Sequence, residues 1–138
     1  MKYLDTNIIL RLLTRDDEAK AAGCHSLFQQ AEGQGKQEVA TTEAIITEVC
    51  YVLSSSRNPY KLTHEEIRAR LVPVLSMRGL RLPRKRRYLR ALDLYATYPV
   101  LDIEDAVCVA HMEAEGISEI LSYDTDFDDV EEAQRVEP

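Results

Sequence analysis

A chain of 138 residues is most simply one domain, 1–138, and is long enough to bury a sizeable core. Its 45% hydrophobic and 30% charged residues are those of a globular chain. No apolar run spans a bilayer, no secretory leader opens a chain with an acid at position 5, and Cys24, Cys50 and Cys108 read as reduced packing residues.

Those exclusions imply a cytoplasmic setting with no membrane role. The net charge of −7 speaks first against a phosphate partner. It is not decisive, because a divalent ion reverses the sign of an acidic site. Much of the positive charge is also gathered in Arg78, Arg81, Arg84, Lys85, Arg86, Arg87 and Arg90.

The first residues, Met1 to Leu4, predict a short strand that delivers a carboxylate at Asp5. Thr6 and Asn7 are good N-cap residues for an amphipathic helix running to about Thr14. Such a junction lies at the carboxyl end of a strand, where open α/β sheets bind ligands. Arg15-Asp16-Asp17 starts a second helix, with Ala19, Ala22, Leu27, Phe28 and Ala31 as its apolar face, broken at 33–36.

Glu38 to Thr41 reads as a strand, and Thr42 as the cap of a helix over 43–56. Thr63 with Glu66 has the capping-box form and opens the next helix, which Pro73 should kink or end. Gly79 to Pro83 reads as a third strand. The basic stretch then leads into a helix carrying Leu89, Leu92 and Tyr95, closed by Tyr98-Pro99.

Asp102 caps a helix to Glu115, with Gly116 as its stop. Glu119 to Tyr123 is the clearest later strand, and Arg135 to Glu137 is expected to pair on an edge. Strands alternating with helices predict a three-layer α/β/α sandwich with a central, mostly parallel sheet.

Most of the 24 acids need no explanation beyond a solvated face. Four stand out. Asp5 and Asp124 each end a strand. Glu48 edges the stripe Ile45, Val49, Val52, and Asp105 heads the inward stripe Val109, Met112 at a helix N-terminus. If they meet, their mutual repulsion requires a cation, and oxygen-only donors select Mg²⁺ or Mn²⁺. That chemistry suits phosphodiester hydrolysis. Taken singly, each has an ordinary reading: turn acids at Asp5 and Asp124, an Arg11 partner for Glu48, a plain helix-start acid at Asp105.

Asp5-Thr6-Asn7, Glu48, Asp102-Ile103-Glu104-Asp105-Ala106 and Ser122-Tyr123-Asp124-Thr125-Asp126-Phe127 occur in that order and together resemble the PIN-domain nucleases. The resemblance is strongest to the toxin component of VapBC toxin–antitoxin pairs, and it spans essentially the whole chain. It implies a metal-dependent endoribonuclease, commonly a homodimer, inhibited by a cognate antitoxin. Asp5 and Asp105 would be the principal Mg²⁺ or Mn²⁺ ligands, completed by Glu48 and Asp124. Thr6, Asn7 and Ser122 would form a polar pocket wall. Asp126 matches an acid often found before the family's phenylalanine, its role left open. The implied chemistry is in-line attack of water on an RNA phosphodiester, with acids holding one or two ions and helping to deprotonate that water. The Arg84–Arg90 segment is no part of this signature; it either holds RNA or is a solvated helix face.

Three other readings compete. A receiver-type signalling domain needs paired acids after its first strand and a lysine ending its last-but-one strand, and neither is present. A non-catalytic PIN-like metal- or RNA-binding module keeps the same acids, so it stays open. A calcium loop at Asp124–Arg135 fails, because Asp129 stands where glycine is needed and Arg135 where glutamate is needed. His25, His64 and His111 offer no competing catalytic arrangement, and no glycine-rich phosphate loop is present.

Overall fold

Three two-residue strands, β1 (Lys2–Tyr3), β2 (Val39–Ala40) and β3 (Leu80–Arg81), pair in parallel in the order β1-β2-β3 in the computed structural model. The structure describes residues 1–15, 17–33 and 39–138. Parallel neighbours need long crossovers, and helices supply them. α1 (Thr6–Thr14) and α2 (Glu18–Gly33) join β1 to β2, while α3 (Glu43–Ser54) and α4 (His64–Leu75) join β2 to β3. α5 (Lys85–Thr97) and α6 (Ile103–Glu115) follow. β4 (Glu119–Leu121) pairs in parallel with β5 (Gln134–Val136), across a 3-10 turn at Thr125–Asp129. The expected α/β class with parallel strands is what the chain adopts, with six α-helices among the described residues. The chain packs as two compact units, Met1–Lys85 and Arg86–Pro138.

In the first unit α1 packs on α2 and α3, with Leu4, Ile9, Phe28, Ile46, Val49, Cys50, Leu53, Ile67 and Leu71 buried. Several local expectations hold. Thr63 caps α4, its hydroxyl accepting from the Glu66 N–H at 3.2 Å. Gly116 ends α6 with φ +71°, a conformation that glycine adopts without a Cβ penalty.

Others are corrected. The cap of α1 is Asp5, whose Oδ1 accepts from the Thr6 N–H at 2.6 Å, so Thr6 and Asn7 lie inside the helix. The buried face of α2 is Ala21, Cys24 and Phe28, whereas Ala19 and Ala22 are exposed. That helix is so rich in alanine and polar residues that its periodicity selects no single stripe. Pro73 does not end α4, which continues to Leu75. Only two helical residues follow it, so a single turn absorbs the missing N–H. Cys24 and Cys50 are buried as packing residues, but Cys108 is exposed. Asp16, Ala31's side chain, the break at 34–36 and the Glu38 start of β2 lie outside the described residues.

In the second unit α5 buries Tyr88, Ala91, Leu92, Leu94 and Tyr95, and α6 buries Ile103, Ala106, Val109, Ala110 and Met112. Much of the basic segment is consumed by pairing. Arg90 forms a two-pronged bond to Glu113 at 2.8 and 2.9 Å and reaches Glu132 at 3.5 Å. Arg87 bonds Glu115 and the Nδ1 of His111. In the first unit, Lys85 donates to the carbonyls of Met77 and Leu80. A cation held by a fork of carboxylate oxygens is poorly placed to recruit phosphate.

Candidate functional site

The first unit carries Asp5, Thr6, Asn7 and Glu48. β1 ends at Tyr3, and one residue later the Leu4 N–H still bonds the Ala40 carbonyl at 2.8 Å. The buried Thr41 hydroxyl donates to the Leu4 carbonyl at 3.4 Å, a tie on the residue before Asp5 that sequence reasoning did not single out. Glu48 does not edge the core as its stripe suggested. Ile46, Val49, Cys50 and Leu53 form the buried face of α3, and Glu48 is exposed on the other side. Exposure removes the expected burial cost but not the partner. The buried Thr6 hydroxyl donates to Glu48 Oε2 at 2.9 Å. Thr6 therefore bonds two acids at once, Asp5 through its N–H and Glu48 through its hydroxyl.

Thr6→Val keeps the shape and removes that donor. A hydrogen bond to a charged group contributes about 1.5–3 kcal/mol, and water reaches the exposed Glu48 to recover part of it. The expected loss is about 1–2 kcal/mol of folding stability, read from the urea midpoint at constant slope.

Asn7 is exposed and, with Ile8, Arg11, Lys20, Gly23, Cys24 and Leu27, lines a cavity of about 520 Å³ between α1 and α2. Its volume is in the range of ligand pockets.

The second unit carries Asp105, Ser122, Asp124 and Asp126, joined by Asp102. Asp102 caps α6, accepting from the Asp105 N–H at 2.8 Å. The Asp124 N–H donates to Ser122 Oγ at 3.0 Å, and Asp124 Oδ1 accepts from the Asp126 N–H at 2.9 Å. Both acids after β4 are thus held by local turn bonds. The half-buried Asp105 carboxyl is pushed up to about 6 from 3.8, first by burial and then by the charges of Asp102, Asp124 and Asp126. The α6 dipole acts the other way, but its 0.3–1 kcal/mol amounts to less than about one pH unit. Burial and repulsion win. Asp126 is also raised, by desolvation and by the charge of Asp124.

These residues fit a hard divalent ion by donor chemistry. The donors are carboxylate oxygens, and Asp105 sits where anionic charge is under-compensated. Among the described residues no group of three or more His, Cys, Asp or Glu side chains is placed to hold an ion by itself. Mg²⁺ seldom needs such a cage, since it is commonly held by one or two carboxylates with waters and phosphates completing its shell. His111 is bonded to Arg87 through Nδ1 at 2.9 Å. Among the described residues no helix is long and apolar enough to cross a membrane.

No curated protein matches the chain. A family model for the PIN domain matches residues 2–133. That match runs from β1 almost to β5 and takes in every acid singled out above. With strand-end acids in both units and an acidic α6 N-terminus, the chain belongs to the PIN domain family, most of whose members are Mg²⁺-dependent ribonucleases.

Proposed function

We propose that this PIN domain is a metal-dependent endoribonuclease acting as the toxin of a type II toxin–antitoxin pair, with Asp5, Glu48, Asp105 and Asp124 as the acids that serve the reaction. The observation that carries the reading is Asp105. Its carboxyl is pushed up to about 6, first by burial and then by the charges of Asp102, Asp124 and Asp126, and such a locus is relieved by a hard cation.

When bound, Mg²⁺ or Mn²⁺ supplies charge stabilisation on the phosphate and a lower pKa for a water ligand. The chain's own groups do the rest. Asp5 in the first unit and Asp105 in the second would be the principal ligands of the ion, with Glu48, bonded like Asp5 to Thr6, and Asp124 as the further acids. One of these carboxylates takes a proton from the attacking water. Ser122 orients Asp124 through its backbone N–H, and Asn7 and Asp126 face the substrate. Single-stranded or looped RNA is the proposed substrate class, because an unpaired strand leaves its backbone and bases open to a protein. A homodimer is the proposed working form.

The test is incubation of the protein with structured RNA in Mg²⁺ or Mn²⁺. Discrete fragments are expected, lost in chelator and lost in Asp5→Asn. Fragments that persist equally in both would sink the reading.

The toxin role adds a partner. The α1/α2 cavity offers an apolar floor of Ile8, Cys24 and Leu27 beside the cations Arg11 and Lys20, which suits an amphipathic segment of a small antitoxin. Leu27→Glu places a charge on that floor and is expected to weaken antitoxin binding about a hundredfold while RNA cleavage stays at wild-type rate. Calorimetry with the product of the adjacent reading frame checks it.

A further inference from the structure

Arg135 lies on β5, outside the residues that the family model matches, and its side chain is only 16% exposed. Its guanidinium makes contacts on both sides of the acidic segment. Nε and Nη2 donate to Asp128 Oδ1 and Oδ2 at 2.7 and 3.3 Å, in the 3-10 turn. Nη1 donates to the Ser122 carbonyl at 3.2 Å, where the chain leaves β4, and to Glu137 at 2.8 Å. The backbone reinforces this, with Ile120 opposite Arg135 in register and the Ser122 N–H on the Val136 carbonyl at 3.0 Å.

We propose that Arg135 is a positioning residue for Asp124 and Asp126, clamping the two ends of the segment that presents them. Asp124 lies between the clamped points and touches neither Arg135 nor Asp128 in any bond described above. Its orientation comes from Ser122 Oγ on one side and the Asp126 N–H on the other. Both of those groups belong to the clamped segment. The same guanidinium removes Asp128 from the pool of anionic donors by neutralising it. The segment has four acids, Asp124, Asp126, Asp128 and Asp129, and the clamp decides which of them faces an ion. A planar fork is required to reach a carboxylate edge and a carbonyl together, and an ammonium cannot reproduce it.

This rests on the nuclease reading for its consequence, but not for its mechanism. The test uses the full chain as wild type, Arg135→Gln, Arg135→Lys and Asp128→Asn, each confirmed folded by circular dichroism at the assay temperature. Three readouts are taken: amide hydrogen exchange across 122–129, Mn²⁺ affinity by calorimetry, and kcat with KM for RNA. Arg135→Gln is expected to exchange at Asp124 and Asp126 at least tenfold faster, to bind Mn²⁺ about tenfold more weakly, and to lose kcat about thirtyfold with KM unchanged. Arg135→Lys and Asp128→Asn should fall between it and wild type. If Arg135→Gln does not fold, the Lys and Asn variants carry the comparison. A purely structural arginine would lower the melting temperature while leaving exchange at 124–126, Mn²⁺ affinity and kcat unmoved, and that result overturns the proposal. A wild type that neither binds Mn²⁺ nor cuts RNA would instead overturn the nuclease reading, with hydrogen exchange still deciding the clamp.

Discussion

Asp105→Asn is expected to abolish RNA cleavage, by a factor of at least about 10²–10³, and at the same time to stabilise the metal-free fold at neutral pH. The first effect follows from losing an anionic oxygen that would hold the ion by which charge on the phosphate is offset; single electrostatic contributors to such stabilisation are worth about 10²–10³ in rate. The second follows from the raised carboxyl. With a folded-state pKa near 6 against an ordinary 3.8, the native protein holds an extra proton between those values. Stability from this group is therefore fully present below about pH 4 and is lost as pH rises through 6. Asparagine cannot ionise, so the loss disappears. Solvent screening of a half-buried group limits the gain to about 1 kcal/mol, a few degrees of melting temperature for a chain of this size.

Calorimetric melts in chelator at pH 4.5 and 7.5 check the sign. The two proteins should differ at 7.5 and converge towards 4.5. Adding Mn²⁺ at pH 7.5 should raise wild type more than Asp105→Asn. A variant that loses cleavage but melts identically at every pH and metal concentration would mean that Asp105 is no anionic metal ligand.

The largest structural effect is expected at Phe127. Its ring is buried beneath a turn whose other residues are almost all acids or polar groups, so it is the hydrophobic anchor of the Asp124–Asp129 segment. Phe127→Ala removes that anchor at a cost of about 3–5 kcal/mol, a large share of the 5–15 kcal/mol that holds a domain folded. Tyr123, four residues earlier, is 71% exposed, and Tyr123→Ala is expected to stay within about 0.5 kcal/mol. Urea unfolding of both variants reads the contrast. Equal losses at the two positions would contradict the buried placement of Phe127 as the cause.

Several elements were legible because their signals are local. The capping box at Thr63-Glu66, the stop at Gly116, the cap at Asp102 and the strand opening at Glu119, which ends at Leu121 rather than Tyr123, each depend on residues within a turn of one another. The same locality explains the failures. Which of Asp5, Thr6 and Asn7 caps α1 is settled by whether Thr6's hydroxyl is free to cap, and it is spent on Glu48, 42 positions away. The face of α3 depends on which side meets α1 and α4, and that turned Glu48 outward from a stripe drawn through Ile45, Val49 and Val52. The basic segment could be read as an RNA surface or as a solvated helix face because the sequence hides the pairing of Arg87 and Arg90 with acids on α6, some two dozen residues on.

The amino-acid order alone determined the α/β class, the succession of elements and the identity of the acids at strand ends, since these follow from backbone preference and periodicity over a few residues. Packing alone decided the environment of each acid. Asp105 is raised because it is partly buried and because Asp102, Asp124 and Asp126 are brought near it, Glu48 is oriented by a hydroxyl from another helix, and Arg135 becomes a clamp only when β5 lies beside β4. Electrostatic and hydrogen-bond energies depend on distance through space, and distance through space is what the linear order of residues does not contain.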